Sequence, residues 1–289
     1  MAWDRKDIVL KWCGKVCAIG SVLVLLSLYA FIAVESLPIW WDAGILPLLL
    51  GKEWQPLEES PQFGFFTMLI STLWSSLGAM LIAAPLGICC GIFLAEYAPR
   101  WLSAVIRTVL HILTGIPSVV YGFLGASVIV PWYERVLGVP SGESLFCASL
   151  VLSIMVAPYI VSGTYAAFKA IPLPYREAGY VLGVSKLYIT TRILTPLAGR
   201  SMVSAVTLAF GRAAGETMAV LMLAGNTLTL PLSWFSKGEP LSALIALEIG
   251  TAGIGSRQYQ ALFAAGLVLL LFVSSINFAI YYLNSRGRG

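Results

Sequence analysis

The sequence predicts an all-α membrane protein with six transmembrane helices. Three observations carry that expectation. The 289-residue chain is 58% hydrophobic and 11% charged, where a soluble domain carries about 25% charged residues. Its apolar residues lie in continuous runs rich in Leu, Ala and Gly, without the alternation of a membrane β-barrel. Its basic residues sort by side. With six spans and cytoplasmic N- and C-termini, thirteen of the 18 Lys and Arg fall on the cytoplasmic side, among them Arg286 and Arg288. Only Lys52, Arg135, Lys237 and Arg257 fall outside, and Arg212 lies within a span. This obeys the positive-inside rule. The net charge of +4 therefore expresses topology and gives no nucleic-acid footprint.

The spans are expected near 16–34, 67–95, 109–131, 145–168, 202–225 and 261–282. Each is close to or beyond the roughly 20 residues a helix needs to cross the hydrocarbon. The first follows Arg5, Lys6, Lys11 and Lys15, as a signal peptide would. Glu35-Ser36-Leu37-Pro38 after it offers no convincing cleavage site, so it is read as an uncleaved span. The loop 35–66 carries Trp40, Trp41 and Trp54 with five acids, a composition suited to an interface and a solvated outer surface. In the third span Pro117, within Ile116–Gly122, removes a backbone hydrogen bond and should kink or break the helix. Such a break can line a substrate path with Ser118 and Tyr121; a simple kink with packed side chains is the alternative. The loop 226–260 is partly apolar and is expected to lie in the interface or re-enter the protein. The whole of 1–289 reads as one membrane domain without internal repeats.

The fifth span contains charge. Arg212 and Glu216 are spaced i, i+4, on one face of a continuous helix. Arg212 lies ten residues past Met202, about 15 Å along the axis and near mid-membrane. A central Arg costs roughly 2.5–3.5 kcal/mol on insertion scales. Pairing with Glu216 would offset part of this, although a buried ion pair is rarely a net stabiliser. The pair is therefore a candidate functional site, with an interhelical polar clamp as the other reading. Gly211, Gly215 and Ala219 form a small-residue face suited to close helix packing.

Residues 169–201 are polar and basic, with Lys169, Arg176, Lys186, Arg192 and Arg200 against one acid, Glu177. Such a segment cannot lie in lipid. It is placed in the cytoplasm as a handle for a soluble partner, or as an ordinary basic loop. No phosphate-cradling P-loop is present, so any ATP and Mg used would be bound on another chain. His111 is the single histidine and suggests no metal site. The five cysteines suggest no disulfide in an outer loop.

Glu177-Ala178-Gly179, Gly183 and Ile193-Leu194-Thr195-Pro196 resemble the coupling motif of ABC-transporter permeases. Gly179 and Thr195 stand where that motif has Ala and Leu. The strings Glu96–Arg100, Ile116–Gly122, Gly211–Val220 and Gly225-Asn226-Thr227 resemble the PstC-type permeases of the bacterial phosphate-specific ABC transporter. The similarity extends over about 64–285 as a pattern-level hypothesis.

This resemblance implies a type I ABC importer permease with no catalytic residue, metal or cofactor of its own. It implies a PstA-like second permease, two ATPase subunits and an outer phosphate-binding protein as partners, within membrane lipid. Arg212, Glu216, Thr217, Ser118 and Tyr121 would belong to the substrate pathway. Glu177, Ala178, Gly179, Gly183, Ile193 and Pro196 would couple to the ATPase. A permease for another oxyanion such as sulfate or molybdate is the nearest rival. An intramembrane enzyme using Glu216 lacks a recognisable nucleophile or paired base, and a stand-alone channel leaves 177–196 unexplained.

Overall fold

The computed structural model describes residues 5–285; Arg286 and Arg288 lie outside the described residues. The described chain is predominantly helical. Helix α1 spans Arg5–Ala43, and the short α2 spans Ile45–Leu50. A two-stranded antiparallel hairpin follows, β1 (Trp54–Gln55) and β2 (Gln62–Phe63), with Trp54 opposite Phe63. Helix α3 (Phe66–Ile92) ends in a π turn, Phe93–Tyr97. Next come α4 (Arg100–Gly115), α5 (Ser118–Leu124), α6 (Val130–Leu137), α7 (Leu145–Lys169) and α8 (Pro174–Val181). Then α9 (Lys186–Tyr188), a π turn (Ile189–Leu194) and α10 (Thr195–Ala214) form one helical rod. Helices α11 (Met218–Leu221), α12 (Leu241–Glu248) and α13 (Arg257–Ser285) complete the chain.

Five helical segments among the described residues are long and apolar enough to cross a membrane, or six when a bent pair is counted as one span. The all-α membrane architecture is therefore as expected, but two spans differ from their predicted form. The third does not run straight through 109–131. Helices α4 and α5–α6 meet at 96° across Ile116–Pro117. Proline drives the preceding residue out of the helical region, and Ile116 is extended at φ −72°, ψ 129°. The Tyr121 hydroxyl donates to Leu113 O at 3.0 Å and ties the two arms of this elbow together. The expected third span is thus a bent pair, Arg100–Gly115 and Ser118–Leu137.

The fifth span was expected at 202–225. Its helical rod instead starts at Lys186 and stops at Ala214. Thus Ile193 and Pro196, expected within a cytoplasmic segment, belong to that rod. Pro196 lies inside that rod, just after the π turn Ile189–Leu194, rather than at a helix start.

Helices α3, α7 and α10 form the centre of the bundle. The core joins Ala79 and Ala83 of α3, Leu152 and Val156 of α7, and Ala209 and Ala213 of α10. Gly163 of α7 lies so close to Ala205 of α10 that a side chain would collide with it. This contact sets the register between the two antiparallel helices. By contrast α1 presents most of its apolar surface outward and leans on α13 through Phe31–Phe263 and Tyr29–Ser274.

A second core lies at the end opposite α8, where Ile39, Leu48, Trp54 and Phe65 pack with Leu241 and Leu262. It explains why α1 continues past 34, because Ile39 in the extra turns is buried there. The partly apolar loop re-enters this end. Leu241 N–H donates to Thr72 Oγ1 at 3.0 Å, and Gly238 N–H donates to Ala224 O at 2.9 Å.

Glu239, beside that re-entry and outside the spanning helices, is only 4% exposed. Burial, and then the neighbouring Glu248 carboxylate, push its carboxyl up to about 7. An unfolded Glu titrates near about 4.3, so the folded state binds this proton more tightly. The contribution is present below that pH and is lost as pH rises through about 7, by up to ~3 kcal/mol. Glu239→Gln should therefore flatten this loss and stabilise the purified protein most at high pH. Thermal unfolding in detergent at about pH 5 and about pH 8 checks it.

Candidate functional site

The residues singled out in the sequence fall into two clusters at different levels of the bundle. The first surrounds α8. Pro174 begins this helix and Glu177 lies in its first turn. Both are suited to a helix start, proline by its fixed φ and the acid by the dipole. Glu177 and Ala178 are exposed, whereas Gly179 is buried. A Cβ on Gly179 would lie 2.7 Å from two side-chain carbons of Ile189. Glycine in place of the motif's alanine thus lets α8 close onto the fifth helical rod.

Gly183 reverses the chain at φ 68°, a left-handed conformation that glycine adopts without a Cβ penalty. Ser185 then caps α9, its Oγ accepting from Tyr188 N–H at 3.3 Å. Ile193 joins Tyr175, Leu182 and Tyr188 around an open apolar hollow of about 500 Å³. Pro196 lies farther along the rod and is not part of that hollow.

The second cluster surrounds the end of α10. Stepping equally along both helices from the Gly163–Ala205 contact brings Arg212 opposite Val156, about midway along α7. The Arg212 guanidinium carbon lies 4.9 Å from the Tyr159 ring centroid, a cation–π contact. Arg212 is nevertheless exposed in this single chain. It therefore sits beside the middle of α7. It lies at the end of its own rod rather than ten residues into a span starting at Met202, and its expected pairing with Glu216 is absent. Helix α10 ends at Ala214, and Gly215 caps it, so Glu216 no longer shares a helix face with Arg212. Among the described residues neither side chain has an ion-pair partner.

The broken backbone is satisfied locally. Glu216 N–H donates to Ala213 O at 3.3 Å, and Glu216 O accepts from Ser242 Oγ at 2.8 Å. Thr217 Oγ1 lies 3.4 Å from Gly215 O. The expected small-residue face is also divided. Gly211 lies against Val273 and Asn277 of α13, whereas Gly215 meets only its own preceding turn. Glycine therefore serves packing at one position and helix termination at the other.

Ser118 opens α5 directly after the elbow, while the buried Tyr121 spends its hydroxyl on Leu113 O. The two predicted residues from the third span thus meet the elbow rather than Arg212. Sequence reasoning missed Tyr159 and Ser242. Pro158-Tyr159 was a polar signal within an apolar run, but nothing linked it to position 212. Ser242 lies 26 residues from Glu216, with no local pattern connecting them.

This broken-helix bundle with a short helix projecting beyond one end is a transporter permease of the ABC class. Residues 87–289 match the family of binding-protein-dependent transport system inner membrane components, and the chain belongs to it. It is therefore a multi-pass inner-membrane protein.

Within the family, resemblance to the PstC-type permeases extends over most of the chain. It is 34% identical over 247 residues to the phosphate transport system permease protein PstC of Haemophilus influenzae, covering 79% of this chain and 77% of the relative. It is 35% identical over 272 residues to the probable ABC transporter permease protein YqgH of Bacillus subtilis, covering 93% and 88%. A solved bacterial ABC transporter involved in import of the acidic polysaccharide alginate shares the fold. Its TM-score is 0.66 at 15% identity, covering 98% of this chain and 99% of the other.

The Gly183 turn supplies a direct test. Gly183→Val places a branched side chain in left-handed backbone and should cost roughly 1–2 kcal/mol, while Gly183→Asn should be better tolerated. Thermal unfolding of the three purified proteins should rank glycine first, asparagine second and valine last.

Proposed function

We propose that this chain is one of two permease subunits of an ATP-driven importer of inorganic phosphate. The observation that carries the reading is Arg212, exposed beside the middle of α7 next to a helix break and without a carboxylate partner among the described residues. An arginine facing lipid there would be costly; one facing a hydrated path or a second subunit would not. Its guanidinium offers a planar set of N–H donors suited to a phosphate oxyanion. The similarity to PstC favours phosphate over sulfate or molybdate.

In this mechanism an outer binding protein delivers phosphate to the end opposite α8. A PstA-like permease completes the pathway across the face that exposes Arg212. Tyr159 holds the guanidinium from one side and leaves N–H donors for the anion. Glu216 and Thr217 lie at the break, where the chain can change direction without disrupting a continuous helix. Ser118 and Tyr121 shape the elbow that borders this region. The α8 end is cytoplasmic. Glu177 and Ala178 there face an ATPase, Gly179 and Gly183 set the helix's angle, and Ile193 lines the receiving hollow. Pro196 lies in the rod that leads toward Arg212. ATP and Mg are bound by two ATPase subunits, and this chain performs no catalysis.

Uptake by the assembled transporter tests the substrate. Phosphate uptake should require this subunit, whereas sulfate and molybdate uptake should be unaffected by its deletion. Loss of sulfate uptake alone would overturn the phosphate reading.

Arg212→Gln should reduce phosphate uptake about 10- to 100-fold, as expected on losing a charge-assisted hydrogen bond. Assembly should survive. Arg212→Lys should recover only part of the loss, because an ammonium lacks the planar fork.

Glu177→Lys should leave the chain inserted but reduce ATPase binding and uptake together. Co-purification with the ATPase separates this outcome from loss of the anion site.

A further inference from the structure

One ion pair lies deep at the α8 end, outside the residues of the coupling motif. Arg176 Nη2 contacts Glu96 Oε1 at 2.7 Å, and the side chains are 16% and 8% exposed. Arg176 Nε lies 3.3 Å from each Glu96 oxygen. Its remaining groups donate to Ile171 O at 2.8 Å and Phe168 O at 2.7 Å. One planar guanidinium therefore binds the end of the second span, the end of α7 and α8 together. Its neighbour Glu177 is exposed, so adjacent residues give α8 one inward and one outward contact.

Two further contacts from this region converge on the same turn. Lys169 Nζ donates to Ala95 O at 2.6 Å. Tyr97 OH donates to Thr190 Oγ1 at 3.3 Å, and Lys186 Nζ stands 4.8 Å from the Tyr97 ring centroid. Consecutive residues 95–97 thus receive contacts from the end of α7, from α8 and from the start of the fifth rod. They lie in the π turn Phe93–Tyr97, a winding that recurs at functional positions.

The second span continues from this turn to Thr72, whose Oγ1 holds Leu241 N–H. The next residue, Ser242, holds Glu216 O beside Arg212. A series of contacts therefore joins the α8 end to the break after Ala214.

We propose that Glu96 and Arg176 form the joint that carries movement of α8 into the second span. Both are positioning residues: neither contacts the anion or needs to contact the ATPase. A buried charge pair suits this role because separating it would leave each charge uncompensated. The α8 helix and residues 93–97 consequently move as one body. Glu177 transmits the partner's motion to α8, and Arg176 transmits α8's motion onward. The inference rests on the importer function proposed above.

The test uses the complete transporter in phospholipid vesicles. Phosphate uptake and ATP hydrolysis are measured with and without phosphate-loaded binding protein. Glu96→Gln and Arg176→Gln should retain ATPase binding but lose roughly tenfold of the stimulation by binding protein, within the usual range for coupled sites. Uptake should fall in parallel. Normal stimulation and uptake in either variant would overturn the joint. A wild-type complex that shows no coupling to an ATPase would overturn the importer reading and the joint with it.

Variants that fail to assemble are bypassed by leaving the ion pair intact. Spin labels on exposed Val181 and Leu86 should keep one separation in nucleotide-free and ATP-bound complexes. Both should move relative to a label on Leu23 of α1. A changing Val181–Leu86 separation, or no movement relative to Leu23, would overturn the proposal.

Discussion

A helix that ends inside a bilayer leaves backbone groups that lipid cannot satisfy, so protein must reach them. Helix α10 ends at Ala214 within the central core of the bundle. Ser242 reaches the carbonyl of Glu216, which requires the chain after α11 to fold back into the bundle. Thr72 fixes that return through Leu241 N–H. The same return supplies Ser236 O to Leu145 N–H, while Leu223 O accepts from Ser144 N–H. One interrupted helix thus accounts for the buried loop, its contact with the second span and the start of α7.

The elbow at Pro117 is linked to this interruption. After the turn, Gly122 lies against Met222 and the backbone of Ala219, so α5 packs on the short helix beyond the Gly215 break. Tyr121 secures the elbow from within. The two departures from straight helix are therefore neighbouring parts of one assembly. Both are placed beside α7, whose mostly buried apolar surface supplies a continuous support.

Charge is distributed differently at the two ends of this support. At the α8 end, Arg176 is enclosed by a carboxylate and two carbonyls, satisfying its charge and fixing its direction. Beside the middle of α7, Arg212 rests on the Tyr159 ring and has no ion-pair partner among the described residues. A guanidinium with that limited enclosure keeps its hydrogen-bond donors available. Burial and then the Glu248 carboxylate favour the protonated form of Glu239, and the oxygens of Glu248 accept from Trp54 and Gln258.

The sequence alone determined the membrane class and the approximate number of spans, because long apolar runs and sided basic residues are local, additive signals. Its motifs also located the α8 segment and the charged string at 211–220. The level of Arg212 was not legible from helix rise, because the rod that carries it begins at Lys186 and not near Met202. Nor was the failed Arg212–Glu216 pairing, since i, i+4 geometry assumes that the helix continues. The helix ends with Gly215 as its cap, and the backbone freed after it is met by Ser242, 26 residues beyond Glu216. Likewise Pro117 announced a break, but its 96° angle depends on the Tyr121 clamp and the packing of α5 against α11. Tertiary structure decided these points because the bilayer makes unsatisfied backbone expensive, and the groups that satisfy it come from distant parts of the chain.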